Sequence, residues 1–281
     1  MFYLWHRNMA NQILKGKRGI IFGALNENSI AWQVASRCHA EGASIVLTNA
    51  PVAARVGQTE ALAQQLGAPL IYADVTKMDD LENLVSQSVE KLGGPLDFVL
   101  HSVGMSLNVR KKIPYTELNY EYMHQTLDIS GMSFHRLMQV LWKQDAMAEW
   151  GSIVGLTYIA AQRVFPDYSE MAEAKNLLES IARSFGYHYG KHKKVRVNTI
   201  SQSPTKTTAG SGVGGFDAFF NYADSMSPLG NADAESCANY CVSLFSDYTR
   251  MVTMQNLFHD GGFSFTGIAQ EFMEKFTDNN S

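Results

Sequence analysis

Two tyrosines and a lysine stand at a spacing that could support chemistry on a carbonyl group. Tyr158, Tyr168 and Lys175 follow one another with nine and then six residues between them. On a helix, Tyr168 and Lys175 would lie within about 20° of each other, two turns apart on one face. A cation favours the ionised form of a nearby phenol, and a phenol over a carbonyl oxygen stabilises developing negative charge. The set therefore suits hydride transfer, in which an oxyanion or enolate must be held.

One other interpretation of these residues stays open from spacing alone. An amphipathic helix with one ring at the core edge and the lysine in solvent has the same pattern. Two further tyrosine–lysine pairs also occur, Tyr187 with Lys191 and Tyr189 with Lys193. We reject both pairs, because they fall at the C-terminal end of the predicted helix, where cations suit the helix dipole.

Short β-branched runs alternate with helical patterns along the chain. Seven runs are predicted strands, at 18–23, 44–48, 70–73, 96–101, 152–157, 195–200 and 256–258. Helices are predicted at 29–41, 52–66, 78–92, 119–148, 166–189 and 232–245. Continuous apolar strands joined by helices favour one parallel sheet covered on both faces. The predicted fold class is α/β, a single Rossmann-type doubly wound domain.

We predict one Rossmann-type domain over residues 14–267, with an N-terminal extension of residues 1–13 and a C-terminal tail of residues 268–281. Within it, residues 204–226 begin with a Gly/Ser/Thr-rich stretch. Such a loop is expected to be a mobile substrate-binding lid, with a tolerated surface insertion as the alternative. The aromatic residues that follow could line a pocket or pack the lid to the core: Phe216, Phe219, Phe220 and Tyr222.

Composition excludes several classes of protein. The 281 residues are 46% hydrophobic and 18% charged, typical of a soluble globular chain rather than a disordered one. A net charge of −4 predicts no nucleic-acid partner, and no apolar run is long enough to predict a membrane span. Cys38, Cys237 and Cys241 suggest a reducing compartment, so a cytoplasmic location is expected. No His or Cys spacing predicts a metal site.

Small and polar residues follow four of the predicted strands, where an open parallel sheet binds its ligand. They are Gly23 with the helix start at Ser29 and Ile30, then Ala50, then Asp74 and Val75, and then Ser102, Val103 and Gly104. The helix start could hold a pyrophosphate on its free N–H groups. Asp74 could accept from an adenine amino group or cap the next helix. Neither an acidic residue nor a clear 2′-phosphate cation follows the second strand, which leaves NADH and NADPH open.

With these residues together, the chain resembles the enoyl-acyl-carrier-protein reductases of bacterial fatty-acid synthesis, a branch of the short-chain dehydrogenases. The resemblance covers about residues 14–267. It rests on the Tyr-x9-Tyr-x6-Lys spacing, on the strand-end residues above, and on the segments 196–198, 203–207 and 260–264.

The resemblance implies reduction of the trans-2 double bond of enoyl-acyl-carrier-protein thioesters with NADH, NADPH not being excluded. It implies that Tyr168 donates a hydrogen bond to the thioester carbonyl, that Lys175 holds the nicotinamide ribose and that Tyr158 sits beside the acyl group. Ser106 would approach the substrate. A five-residue segment would meet the nicotinamide and pyrophosphate: Thr205, Lys206, Thr207, Thr208 and Ala209. The implied partners are the acyl carrier protein and three further copies in a homotetramer.

The chain departs from the family pattern at several positions. Gln33 stands where the family commonly has Gly, and Thr205 replaces a usually aliphatic residue. Residues 214–217 replace basic lid residues, which leaves Arg110–Lys112 and Lys206 as the cations available to an acidic carrier. A carbonyl or alcohol oxidoreductase, and a non-catalytic dinucleotide-binding protein, remain the alternative functions.

Overall fold

A computed structural model describes residues 11–208 and 215–277 of the chain. Its sheet has six parallel strands in the order β2-β1-β3-β4-β5-β6. The strands are β1 Arg18–Phe22, β2 Ser44–Thr48, β3 Leu96–His101, β4 Met147–Thr157, β5 Arg196–Gln202 and β6 Asn256–His259. The order reverses between β1 and β3, so the crevice for a ligand opens at their carboxyl ends.

Helices cover both faces of this sheet. They are α1 Ile30–Ala40, α2 Ala53–Val56, α3 Thr59–Leu66, α4 Met78–Leu92, α5 Leu107–Arg110, α6 Tyr120–Leu127, α7 Ser133–Lys143, α8 Met171–Lys193, α9 Phe216–Met226, α10 Ala234–Phe245 and α11 Gln270–Thr277. One apolar core lies under α4, α7 and α8, and a second under α1, α3 and α10. The predicted doubly wound α/β fold is confirmed. No described helix is long and apolar enough to cross a membrane.

The predicted strand at 70–73 is wrong, and the described sheet has six strands instead of seven. Only Leu70 forms a β-bridge, with Leu47 of β2. Leu47 N donates to Pro69 O at 2.9 Å, and Ile71 and Ala73 donate to Leu47 O and Asn49 O, both at 3.0 Å. Asn49 lies beyond the end of β2 at Thr48, so the ladder stops after this one bridge.

Three predicted helices are shorter than expected or divided. The pattern at 52–66 breaks at Gly57, which is extended, and the pattern at 119–148 contains a π-helical turn at Asp128–Met132 and ends at Lys143. The third, predicted from residue 166, begins only at Met171. Ser169 has φ +51°, so Tyr168 occupies a separate 3₁₀ turn, Pro166–Tyr168. Tyr168 and Lys175 therefore do not share one α-helix face, contrary to the prediction from their spacing.

The predicted lid and tail both contain regular structure. The lid, residues 204–226, includes α9, and the tail, residues 268–281, includes α11. Residues 209–214 of the lid lie outside the described residues, as do residues 1–10 and 278–281.

The centre of the sheet gives a test of its packing. Gly19 of β1 pairs with Phe98 of β3, and a Cβ on Gly19 would lie 2.2 Å from the Phe98 ring. That ring is fully buried and stacks on Phe245 at 4.5 Å between centroids, so it has no room to move aside. We expect Gly19→Ala to lower the free energy of unfolding by roughly 1–3 kcal/mol.

Chemical denaturation measures this effect, with Gly190→Ala as the matched control. A Cβ on Gly190 of α8 would meet nothing within 4 Å, so this change should stabilise the helix by roughly 0.5–1 kcal/mol. Equal effects of the two substitutions would contradict the packing assigned to Gly19.

Candidate active site

A cavity of about 110 Å³ lies at the carboxyl ends of the strands. Five predicted cofactor residues line it: Gly23, Ala50, Asp74, Val75 and Val103. Three lining residues were missed by the sequence reasoning: Phe22, Asn49 and Ile129. Phe22 and Asn49 adjoin predicted strand ends, so their position in the sequence could have identified them as lining residues of the cavity. Ile129 lies in the π-helical turn, which no periodicity in the sequence indicated.

Glycine is required at the first strand end. Gly23 has φ +95°, and a Cβ there would lie 2.0 Å from the carbonyl oxygen of Ser102, which follows β3. In the next turn, the Ser29 hydroxyl donates to Asn26 O at 2.6 Å and accepts from Leu25 N at 3.2 Å. Its side chain therefore shapes the turn and does not cap α1, which begins at Ile30. The eleven-residue α1 points its positive N-terminal end at the crevice, which suits a phosphate.

Asp74 and Asn49 shape the other side of the cavity. Asp74 does not cap α4, whose N-cap position is Lys77; its Oδ1 accepts from the N–H and hydroxyl of Thr76 at 3.0 and 2.7 Å. Burial alone would raise the pKa of Asp74, but the Thr76 bonds outweigh it and hold the pKa below its usual value. Asn49 donates to Ala24 O and accepts from Ala50 N, at 3.1 and 2.8 Å. An ionised acceptor therefore borders this cavity at neutral pH.

Tyr158 and Tyr168 meet beside this crevice, with ring centroids 5.2 Å apart. Burial raises the pKa of both phenols, and Tyr168 and Asp260 raise that of Tyr158 further. The hydroxyl of Tyr158 is buried without a hydrogen-bond partner in the described part of the chain. Both phenols are therefore protonated at neutral pH, and each has a hydrogen to donate.

The ammonium of Lys175 joins two strand ends. Its Nζ donates to Val103 O, just after β3, and to Leu156 O of β4, both at 3.0 Å. A side chain on Gly104 would begin 3.6 Å from this nitrogen. Burial lowers the pKa of Lys175 to about 8, against a raising influence of Glu179. Lys175 is thus a buried cation near neutral pH, not a lysine in solvent.

An aromatic cluster encloses Tyr158 from the outside. Its ring lies 5.6 Å from Phe165 and 5.8 Å from Phe219 of α9, and Phe263 lies 6.2 Å from Phe165. Tyr222 of α9 reaches the same cluster through Phe263, at 6.1 Å. The other two lid aromatics, Phe216 and Phe220, pair with each other at 6.0 Å. The site therefore has an apolar wall on the lid side.

The segment from Thr205 to Thr208 closes over the turn after β1. Thr208 accepts from Asn26 Nδ2 at 2.8 Å, and Thr205 bonds Gln202 and Ser203 O at 3.2 and 2.9 Å. The ring of Phe220 lies 4.5 Å from Lys206 Nζ, and Thr207 N donates to Thr205 O at 2.8 Å. The predicted cofactor residue Ala209 lies outside the described residues.

Ser106 and the rejected tyrosine–lysine pairs have other contacts. The Ser106 hydroxyl donates to Glu170 at 2.6 Å and accepts from Val109 N at 3.0 Å, so its predicted approach to substrate would use its backbone. At the far end of α8, Tyr189 donates to Met138 O at 2.8 Å and Lys193 pairs with Asp145. These partners are structural, which agrees with the rejection of the Tyr189–Lys193 pair.

These residues fit a dinucleotide. The glycine turn brings the strand end and the Ser102 carbonyl together, α1 offers its N-terminus, Asp74 offers an ionised acceptor, and Lys175 offers a buried cation. Sugar hydroxyls and phosphates are the groups that such a set of donors and acceptors matches. The arrangement can hold an extended cofactor along the strand ends, with its reacting end toward Tyr168.

The buried ammonium predicts a pH-dependent stability. The fall in the pKa of Lys175 from 10.5 to about 8 means that the unfolded chain holds this proton more tightly than the folded one. Wild-type stability should therefore rise relative to Lys175→Met as the pH rises from about 8 to 10.5, by about 3 kcal/mol in total. Urea denaturation of both proteins across this range measures the difference.

A control variant separates this effect from general alkaline destabilisation. Lys191 lies exposed on the same helix, so Lys191→Met should differ from wild type by a constant amount across the range. A constant difference for Lys175→Met as well would contradict the buried ammonium.

Comparisons with known proteins show the family of the chain. The profile of the family described as "Enoyl-(Acyl carrier protein) reductase" matches residues 23–264. Enoyl-[acyl-carrier-protein] reductase [NADH] 1 of Rhizobium meliloti (strain 1021) is 34% identical over 92% of this chain and 94% of its own length. Enoyl-[acyl-carrier-protein] reductase [NADH] FabI of Aquifex aeolicus (strain VF5) is 32% identical, over 91% and 94%.

Solved structures give the same result. The crystal structure of a FabI–NADH complex from Alistipes finegoldii is 58% identical, with a TM-score of 0.91, and the match covers 92% of this chain and 91% of that one. The structure of the Aquifex aeolicus VF5 enzyme is 32% identical, with a TM-score of 0.84, and the match covers 91% and 99%. By sequence and fold, the chain belongs to the enoyl-acyl-carrier-protein reductase family.

Proposed function

We infer that this chain is an NADH-dependent enoyl-acyl-carrier-protein reductase, which saturates the trans-2 double bond of enoyl thioesters in the last reductive step of fatty-acid elongation. The observation that carries this function is the contact of Tyr158 with Tyr168, together with the buried ammonium of Lys175 at the ends of β3 and β4. Membership of the family and the similarity to a FabI–NADH complex support the reaction and its cofactor. The proposed order of roles along the crevice follows from these positions.

NADH supplies the hydride that the β-carbon of the enoyl thioester receives. The electron pair of the double bond then moves to the thioester oxygen, which becomes an enolate. Tyr168, protonated because burial raises its pKa, donates a hydrogen bond to that oxygen as its charge develops. A proton taken up from water at the α-carbon completes the saturated thioester. Tyr168 thus stabilises the enolate without having to ionise.

Lys175 would hold the ribose hydroxyls nearest the nicotinamide. Its Nζ already bonds two carbonyl oxygens at the strand ends, and an ammonium carries three donors, so one remains for a ribose hydroxyl. Gly23, Ser29, Ile30 and the Thr205–Thr208 segment would hold the pyrophosphate and nicotinamide. At the other end, Asp74 would accept from the adenine amino group.

Tyr158 and the aromatic cluster would hold the acyl group. The Tyr158 hydroxyl lacks a partner among the described residues, so a substrate oxygen there would satisfy it. Phe165, Phe219 and Phe263 present apolar rings around it, which suit a hydrocarbon chain.

The acyl carrier protein would dock on exposed cations near α5. Arg110, Lys111 and Lys112 are exposed, and none forms an ion pair with a described residue. The ammonium of Lys111 donates to Tyr122 at 2.7 Å, which holds part of the cluster in place. An acidic carrier would find complementary charge there, despite the chain's net charge of −4.

We also propose a homotetramer in the cytoplasm. The long helices α7 and α8 present the large aromatic side chains of Trp142 and Tyr187 to solvent, 40% and 55% exposed, which supports contact with further copies. Three free cysteines, Cys38, Cys237 and Cys241, suit a reducing compartment.

A turnover assay tests the function and its alternatives. Purified protein is mixed with NADH or NADPH and with crotonyl thioesters of coenzyme A and of the acyl carrier protein, and loss of cofactor absorbance is followed. Turnover of the enoyl thioesters with NADH is expected. Reduction only of ketones or aldehydes would establish a carbonyl oxidoreductase, and cofactor binding without any turnover would establish a non-catalytic binding protein.

We expect Tyr168→Phe to lower kcat by about 10²–10³-fold, because the variant loses the hydrogen bond to the enolate oxygen. The dissociation constant of NADH, measured by fluorescence titration, should stay within about twofold. Tyr248→Phe is the control, since this tyrosine is 82% exposed and its substitution should leave kcat unchanged. An unchanged kcat for Tyr168→Phe would remove it from the catalytic set.

Charge reversal tests the docking surface. The double variant Arg110→Glu, Lys112→Glu should raise KM for the carrier-linked substrate roughly tenfold, because it repels an acidic partner. The KM for crotonyl-pantetheine, which carries no protein, should stay the same. Lys91→Glu is the matched control, because Lys91 is exposed and lies in the last turn of α4, before β3 begins. Equal changes in KM for both substrates would argue against docking at α5.

A further inference from the structure

A buried carboxylate at the start of α8 has no part in the chemistry above. Glu170 is fully buried and lies between Tyr168 and Lys175 in the chain. One of its oxygens, Oε1, accepts three hydrogen bonds: from Ser106 Oγ at 2.6 Å, from Thr126 Oγ1 at 2.8 Å and from Asn108 Nδ2 at 3.1 Å. A carboxylate that gathers three side-chain donors at one point fixes the elements that carry them.

These donors belong to two helices that border the site. Ser106 caps α5 by accepting from Val109 N at 3.0 Å. Asn108, also on α5, exchanges bonds of 3.1 and 3.2 Å with the backbone of Asn119, just before α6. Thr126, in the last turn of α6, shares its single hydroxyl hydrogen between Tyr122 O and Glu170 Oε1, both at 2.8 Å. Through Glu170, therefore, α5 and α6 are both tied to the beginning of α8.

Hydrogen-bond donors, and no cation of the described residues, balance the charge of Glu170. Burial would raise its pKa, but the hydrogen bonds from Ser106 and Thr126 are among those that outweigh burial and hold the pKa below its usual value. No lysine, arginine or histidine of the described residues forms an ion pair with it. An apolar side chain of similar size would cost the fold less than a buried charge. Stability alone therefore gives little reason for a carboxylate at this position.

The helices that Glu170 joins also form the seat of Tyr168. Its ring packs against an apolar group made by Val109 of α5, Leu127 of α6, and Met171 and Ala174 of α8. Between Tyr168 and Glu170 stands Ser169, whose φ of +51° is unfavourable for a residue with a Cβ and must be held by its surroundings. If α5 and α6 moved away from α8, the ring of Tyr168 would lose its packing. The backbone turn at Ser169 would also lose its support.

We propose that Glu170 is a positioning residue: its carboxylate holds α5 and α6 against the first turn of α8 and so keeps Tyr168 in the orientation that the reaction needs. The inference rests on the proposed function, because it assigns Glu170 an effect on the step that Tyr168 assists. Glu170 touches neither substrate nor cofactor and acts only through Tyr168.

A double-mutant cycle separates positioning from a merely structural role. Glu170→Ala should lower kcat at least tenfold and leave the dissociation constant of NADH within about twofold. In a Tyr168→Phe background the same change should have little further effect on kcat, because the group that Glu170 positions is already disabled. Glu170→Gln, which keeps an acceptor oxygen, should recover most of the lost kcat.

Two variants complete the design. Glu173 lies on the same helix, accepts a hydrogen bond from Tyr115 and contacts none of the three donors. The variant Glu173→Gln should therefore keep wild-type kcat. Thr126→Val removes one donor, so in the same double-mutant cycle it should cause a smaller loss of kcat that again depends on Tyr168. This variant replaces Glu170→Ala in the cycle if Glu170→Ala does not fold. All assays are run below the melting temperature of each protein, measured in parallel.

The outcomes are distinguishable. Equal fold-losses of kcat with and without Tyr168 would overturn the inference, as would a lowered melting temperature with wild-type kcat. If the wild-type protein turns over enoyl thioesters and Glu170→Ala lowers kcat by the same factor with and without Tyr168, this inference alone is overturned. An absence of wild-type turnover would overturn the proposed function and the role of Glu170 with it.

Discussion

A buried ammonium that joins two strand ends is the contact on which the candidate site depends. Lys175 can reach Val103 O and Leu156 O because β3 and β4 are neighbours in the sheet and α8 crosses over their carboxyl ends. Carbonyl groups at the ends of parallel strands have no further strand residue to bond, and an ammonium satisfies two of them at once. The same contact sets the distance of α8 from the sheet, and with it the position of everything at the start of that helix.

Burial acts on the two kinds of titrating group in opposite ways, and both effects suit the proposed reaction. It raises the pKa of Tyr158 and Tyr168, so the phenols keep the hydrogens that they would donate. It lowers the pKa of Lys175 only to about 8, so the ammonium stays charged near neutral pH. Desolvation keeps the phenols as neutral donors, whereas the spacing in the sequence had suggested a phenolate stabilised by the cation.

The short segment between Tyr168 and Met171 carries an unusual amount of local structure. It contains a left-handed serine, a buried carboxylate with three donors, and the end of a 3₁₀ turn. Strain of this kind persists only where surrounding contacts determine the backbone. Here the contacts come from α5 and α6, so the elements that border the crevice also hold the catalytic ring. The aromatic cluster on the lid side encloses Tyr158 in a comparable way.

The sequence by itself determined the class of fold and the chemistry-bearing residues. Helix α4 at 78–92 and strand β3 at 96–101 lie where their patterns predicted them, because buried faces impose a period on the residue types. The spacing of Tyr158, Tyr168 and Lys175 marked them as a candidate set, and the fold brings the two tyrosine rings together. The spacing did not reveal how these residues are held, since helical phase from Tyr168 to Lys175 assumed a helix that Ser169 interrupts.

Only the tertiary structure decided the remaining features, because they depend on partners far apart in the chain. The segment 70–73 has the composition of a strand, yet it forms only one β-bridge, because β2 ends at Thr48 and offers no further strand residue to pair with. Ile129 reaches the cavity through a π-helical turn, and Ser106 turns its hydroxyl to Glu170, 64 residues away. Local periodicity reports which residues are buried. Which groups they meet there is settled by long-range packing and hydrogen bonds, which a single sequence does not display.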